Sequence, residues 1–270
     1  MRKITVIVLM LFTALSYAQV GINIAIPHTS SALDVTSTSA GFLPPRMTAL
    51  QRADISDPAL GLMVFCTNCA SGDGELQVYY VSGWKNAAGG DITDPPPVIG
   101  DYRDGGIVFY IASPPADLDG DGELDTGLVC AIKNQTTIQW YNGTPVQTSA
   151  TGILIGTGAS NTTQIINSHG NAVLPETYAA GLARAYVGGG YNDWFLPSWY
   201  ELERIFINRE AINTAATADG VDGDVFPEFS YYWSSTEINV DNAKQMYFYN
   251  GTSQTTNKGN TLWVRAVRAF

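Results

Sequence analysis

The chain has 270 residues, with 14 basic side chains against 25 acidic ones, a net charge of −11. Charged residues make up only 14 %, well under the usual quarter, and Asn, Thr, Ser, Gly and Tyr fill their place. A surface of this sign repels phosphate backbones and no Lys/Arg cluster or basic helix face interrupts it, which argues against nucleic acid as a partner.

In chain order, Arg2 and Lys3 precede an apolar run from Ile4 to Leu15, and Ser16-Tyr17-Ala18 sets small residues at the positions read by signal peptidase. Residues 1–18 therefore read as a cleavable export signal. The run is short for a membrane anchor, no cysteine follows Ala18 to carry a lipid, and nothing later in the chain reads as a span. Loss of Arg2 and Lys3 leaves 12 basic residues against 25 acidic ones, a mature net charge of −13.

Residues 19–88 read as a small β-rich module. Thr48 and Gln51 have capping-box spacing, which predicts a short helix from Ala49 to Ile55, ended by Pro58. Gly61–Phe65 and Glu75–Val81 read as strands on either side of Cys66-Thr67-Asn68-Cys69. A lone C-x-x-C in a loop does not support structural zinc, and after export a short local disulfide is the preferred reading. A module of this size buries a modest core, which leaves room for self-association. Residues 89–98, with Pro95-Pro96-Pro97, read as a stiff spacer.

Residues 99–270 read as one α+β domain with a mostly antiparallel sheet and about three helices. Apolar runs at 106–111 and 128–132 suit central strands, with Cys130 as a buried small hydrophobe and a third strand at 138–141. Asn161 with Gln164 suggests a capped helix to Ser168; Tyr178–Val187 is a second helix, stopped at Gly188. Ser198 and Glu201 form a capping box that opens a third helix over Trp199–Asn208, with Leu202, Ile205 and Phe206 on its buried face. Strands return at 231–235, 244–249 and 262–268.

The sharpest chemical motif is Asp117-Leu118-Asp119-Gly120-Asp121-Gly122-Glu123-Leu124-Asp125. It has the first nine positions of an EF-hand-type loop, with side-chain oxygens from Asp117, Asp119, Asp121 and Asp125 and the carbonyl of Glu123. Leu128 stands where the bidentate Glu is needed, so calcium at about 0.1–1 mM is the expected affinity range. Calcium is preferred over an acidic hairpin tip because alternating carboxylates repel one another without a cation.

No catalytic set stands out. The two histidines, His28 and His169, are not at metal spacing, and no G-x-S-x-G elbow occurs. Glu201 and Glu237 as glycosidase acids are weaker readings than a capping-box acid and a strand-closing residue. Arg265 and Arg268 are expected to pair with such carboxylates. Recognition is placed instead on Asn239, Asp241, Asn242, Tyr247, Tyr249, Asn250 and Asn257, because Tyr and Asn give contact area and adaptable hydrogen bonds at low ordering cost.

Asn192-Asp193-Trp194-Phe195-Leu196-Pro197-Ser198-Trp199-Tyr200-Glu201-Leu202, Tyr232-Trp233-Ser234-Ser235-Thr236-Glu237 and Trp263-Val264-Arg265-Ala266-Val267-Arg268 occur in that order. Together they resemble the C-terminal domain of Lcl-type collagen-like adhesins and the FISUMP paralogous families. That resemblance implies a C-type-lectin-like recognition domain outside the cell. The sugar-reading triplets E-P-N, Q-P-D and W-N-D of calcium-dependent lectins are missing, so calcium-dependent sugar binding does not follow. Ala32-Leu33-Asp34-Val35 and Gly41-Phe42-Leu43-Pro44-Pro45-Arg46-Met47 look like the N-terminal module of exported Bacteroidetes surface proteins and phage tail fibres, which implies display or assembly. The expectation is an exported, non-enzymatic, adhesin-like binder of a glycan or protein. A fibre subunit or a glycan-active enzyme are the alternatives. Mass spectrometry of the native protein is expected to find Gln19 as its first residue; an intact Met1 species in the cytosol would refute export.

Overall fold

In the computed structural model, residues 19–70, 73–92, 95–169, 177–218 and 221–270 are described. The expected export signal lies outside them. The chain divides into two compact units, residues up to 52 with 57–93, and residues 53–56 with 94–270.

In the first unit β1 (Val20–Ile22) and β2 (Leu33–Val35) pair in parallel. A second sheet has the order β3 (Arg46–Met47), β4 (Met63–Cys66), β5 (Glu75–Tyr80), β6 (Gly83–Asn86); β3 is parallel to β4 and the rest are antiparallel. Helix α1 (Ala49–Ala53) is opened by the expected capping box: Thr48 N donates to Gln51 Oε1 at 2.9 Å, and Gln51 N to Thr48 Oγ1 at 3.2 Å. The sulfur atoms of Cys66 and Cys69 are bonded and fully buried. Beside them the buried Arg52 donates to Gln77 Oε1 at 2.6 Å. The core here is small.

The second unit is α+β and built on two sheets. One has the order β15 (Val267–Ala269), β9 (Asp125–Ala131), β8 (Gly106–Ala116), β7 (Tyr102–Arg103), antiparallel throughout. The other has the order β10 (Gln135–Ile138), β14 (Leu262–Val264), β11 (Tyr231–Glu237), β12 (Asn242–Tyr247), β13 (Thr252–Asn257). Its β11–β14 pair is parallel and its other pairs antiparallel. Among the described residues four helices accompany the sheets: α2 (Gly158–His169), α3 (Ala179–Ala185), α4 (Trp199–Ile207) and α5 (Arg209–Ala216). One apolar cluster joins Phe109, Leu128, Leu202, Ile205, Tyr232 and Met246; another joins Val129, Trp140, Ile165, Trp194, Trp233 and Val264. Cys130 is a free thiol buried in the first.

Several sequence expectations move. Strand β10 lies three residues earlier than 138–141, because Trp140 turns into the core and its indole donates to the Ser234 carbonyl at 2.8 Å. Helix α2 begins at Gly158, so Asn161 sits inside it; its buried amide donates to the Gly152 carbonyl at 2.7 Å instead of capping. Helix α3 stops at Ala185, where Tyr186 turns extended. Helix α5 was not anticipated; it follows α4 at Asn208 and buries Ile212 and Ala216, one helical turn apart.

Glu201 and Glu237 are the most deeply buried carboxylates among the described residues of this unit. Glu237 accepts from Thr148 N at 2.9 Å and Ser149 N at 3.0 Å, and its Oε1 is 2.5 Å from Lys258 Nζ. That ammonium lies 4.5 Å from the Trp140 ring centre. Glu201 closes the α4 capping box at Ser198 N, 2.7 Å away, and also accepts from Gly156 N at 2.8 Å and Gly158 N at 3.2 Å. No cation pairs with Glu201 among the described residues. Burial pushes its carboxyl from 4.5 up to about 7, against the downward pull of those N–H donors.

Between pH 4.5 and about 7 Glu201 binds a proton in the fold but not in the unfolded chain. Folding stability from this group is therefore complete below that window and declines across it as pH rises, by about 3 kcal/mol at most. Glu201→Gln cannot titrate. Urea denaturation across pH should show the decline in the native protein and its loss in Glu201→Gln; parallel profiles would refute this assignment.

Candidate functional site

Alternation along β11 and β12 sorts aromatic rings onto opposite faces of the sheet. Tyr232 and Phe248 point into the core and pack at 4.4 Å between ring centres. Tyr231 and Tyr247 are register partners on the other face and stack at 4.4 Å with 15° between planes. Further along, Phe229 and Tyr249 stack at 5.1 Å and 23°. Tyr247 and Tyr249 lie 5.8 Å apart, which joins the two pairs into a patch of four rings. The same face is covered at Trp233, whose indole donates to the Ile138 carbonyl at 2.9 Å. Beyond that point the cover ends: Phe229 is 68 % exposed and Tyr249 51 %, while Tyr231 and Tyr247 are half-buried.

The expected recognition residues separate into two groups. Tyr247, Tyr249 and Asn250 sit together at the ring patch. There Asn250 Oδ1 accepts from the Thr252 amide at 3.0 Å and from the Thr252 hydroxyl, shaping the β12–β13 turn. Asn239, Asp241, Asn242 and Asn257 lie at the opposite end of the hairpin, since Asn242 pairs with Asn257 and Tyr247 with Thr252. Five residues of strand separate these ends, about 17 Å. Asn239 Oδ1 accepts from Asp241 N at 3.0 Å and Asn242 N at 2.9 Å, and Asn257 Oδ1 from Gly259 N at 2.9 Å. These Asn side chains hold their own turns. Tyr231 and Phe229 also belong to the patch, and Phe229 lies ahead of the segment in which the sequence placed recognition.

The acidic loop connects β8 to β9, with Gly120 at φ +87° and Gly122 at φ +93°, left-handed conformations that favour glycine. Carboxylate oxygens of Asp117, Asp119 and Asp125 lie within 4.8 Å of one another; Asp121 and Glu123 are not part of that trio. Asp125 is largely buried and accepts from Leu118 N at 2.7 Å; Asp117 accepts from Gly120 N at 2.6 Å and Gly122 N at 3.2 Å. Burial, and then the charges of Asp125, Asp121 and Asp117, raise the pKa of Asp119. Burial, and then Asp121 and Asp117, raise that of Asp125. Three hard oxygen donors fit part of the six-to-eight-oxygen shell of calcium, with water to complete it.

This loop also borders a groove of about 490 Å³, lined by Asp119 and Asp121, by Ser160 and Gln164 of α2, and by Arg184 and Asp193. Arg268 holds Asp193 with two bonds of 2.7 Å. Sequence reasoning did not find this groove, because its residues come from four separate stretches. Nor did it find the arginine partners. Arg268 takes Asp193, not Glu201 or Glu237, and Arg265 bonds Asn134 Oδ1 at 3.1 Å and the Asp224 carbonyl at 3.2 Å.

Residues 130–268, just over half of the chain, match the family model of the Lcl C-terminal domain, and the chain belongs to that family. By that family it is a surface or extracellular protein. Residues 21–96 match the phage tail like trimerisation region, a sign of oligomerisation. Among solved structures, a fimbrial protein from Bacteroides ovatus ATCC 8483 is similar with a TM-score of 0.44 and 16 % identity, over 73 % of this chain and 57 % of that one. The chain thus spans less than two thirds of that structure's length. No curated protein matches it. Among the described residues no helix is long and apolar enough to cross a membrane.

Proposed function

We propose that the protein is exported and acts outside the cell as a non-enzymatic, adhesin-like binder of a glycan or protein, with a C-type-lectin-like recognition domain. The four-ring patch of Phe229, Tyr231, Tyr247 and Tyr249 carries this reading. Stacked, partly exposed rings with phenol edges give a large, rigid contact area at low entropic cost, and such residues dominate binding hot spots. The state of the two candidate acids supports the non-enzymatic part: Glu201 is fully buried and Glu237 is 2 % exposed, and each is occupied in bonds to its own fold. A catalytic acid has to reach a substrate proton.

An array of glycans and proteins, with and without calcium, should identify a ligand. Tyr249→Ala should then weaken binding about tenfold or more without moving the melting temperature. Turnover of a glycan that vanishes on Glu237 or Glu201 replacement, in a protein that still folds, would hand the function to the enzyme alternative.

The reading includes one weakly bound calcium ion at Asp117, Asp119 and Asp125, with Asp121 and the Glu123 carbonyl nearer its edge. Binding to the folded state alone stabilises it by mass action, about 1–3 kcal/mol at roughly 10 mM calcium for a Kd of about 0.1–1 mM. A rise in melting temperature with calcium, reduced by Asp119→Ala, is the expected result. Identical melting in chelator and in calcium would leave only an acidic hairpin tip.

A fibre subunit is the second reading, favoured by the first unit. Val20, Ile22, Leu33 and Val35 on the two-stranded β1–β2 sheet are 40–54 % exposed, and a two-stranded sheet alone is marginal in water. Packing these side chains between copies would bury them. Sedimentation of the intact protein at a trimer mass is expected, and a monomer at high concentration would remove this reading.

A further inference from the structure

The groove beside the acidic loop shares no lining residue with the ring patch, and its lining carries charges of both signs. Asp121 uses Oδ1 to accept from Glu123 N at 2.8 Å, and no described residue bonds its Oδ2. Arg184, in the same lining, is fixed by its own fold. Its Nε donates to the Trp194 carbonyl at 3.0 Å and Nη2 to Thr163 Oγ1 at 3.4 Å, which leaves Nη1 without a partner among the described residues. Asp193, the other acid there, already has both oxygens on Arg268 and cannot fully serve Arg184. Burial lowers the Arg184 pKa, with Asp193 acting in the opposite direction.

In the same lining, Ser160 and Gln164 stand one turn apart on α2, both exposed. Ser160 Oγ donates to the Thr157 carbonyl at 3.1 Å, so it remains an acceptor, and the Gln164 amide has no described partner. The three acids of the lining disfavour a polyanion. A ligand carrying both signs of charge complements the lining, which an apolar molecule or a neutral sugar does not. At about 490 Å³ the groove is within the range of small-ligand sites, about 300–1,000 Å³.

We propose that this groove binds a small zwitterion, a short peptide or amino acid with free termini, its ammonium on Asp121, its carboxylate on Arg184, and its amide groups over Ser160 and Gln164. This goes beyond the glycan or protein binding assigned to the ring patch and does not depend on it.

The test is calorimetric titration of the full mature chain with tri-alanine, in chelator so that no metal occupies the acidic loop. The tripeptide with both ends free should bind. Acetylating its N-terminus or amidating its C-terminus should each weaken binding about tenfold or more, the loss expected for one charge-assisted contact. Asp121→Asn should weaken the free peptide similarly and leave the amidated-against-free ratio intact. Gln164→Ala should weaken both free and blocked forms, with melting temperatures unchanged in both variants. Tyr249→Ala should bind the tripeptide as the native protein does. No binding of the free tripeptide, equal binding of the blocked forms, or displacement by methyl glucoside in the same range would each overturn the proposal. Loss on Tyr249→Ala without loss on Asp121→Asn would assign the peptide to the ring patch and also overturn it.

Discussion

The C-terminal unit relies on how residues 139–157 are held, since this stretch has no helix or strand of its own yet anchors Trp140, Thr148 and Ala150 in the interior. Its backbone groups still need hydrogen bonds, because an unpaired buried amide costs about as much as a lost bond. Two buried carboxylates supply many of them. Glu237 takes the amides of Thr148 and Ser149, and Glu201 takes that of Gly156. Asn161 receives Gly152, and the Glu237 amide donates to the Ala150 carbonyl. Side-chain acceptors thus stand in for a missing neighbouring strand.

The two carboxylates are balanced differently, and the difference matters. Glu237 is neutralised by Lys258, itself only 1 % exposed and lying over Trp140, so removing either partner leaves a buried charge unmatched. Glu201 has only dipoles around it, so burial dominates and its carboxyl titrates near neutrality. Both carboxylates are held by the protein's own backbone N–H groups.

The ring patch follows from the same sheet. A strand with period two can bury one face fully and still cover the other only in part. Trp233 falls under the 138–140 segment, whereas Tyr231, two residues earlier on the same face, falls outside it. One strand therefore supplies core at one end and display at the other. The groove arises by a different route. The β8–β9 loop, α2 and the α3 terminus meet only because the helices pack against the sheets, and Arg184 is aimed by a bond to the Trp194 carbonyl.

The sequence by itself determined whatever is local. The Thr48–Gln51 and Ser198–Glu201 boxes set helix starts through bonds spanning three residues, and apolar runs marked the strands around Phe109 and Leu128. Spacing likewise placed the Cys66–Cys69 bond and the glycines of the acidic loop. Only the tertiary structure decided the rest. Whether an Asn caps, braces or recognises depends on which amides lie within reach, and Asn161, Asn239 and Asn250 each found theirs nearby in space. Which arginine meets which acid was equally hidden: Arg268 and Asp193 are 75 residues apart. Pairings and grooves across such separations are made by packing, and no short-range pattern records them.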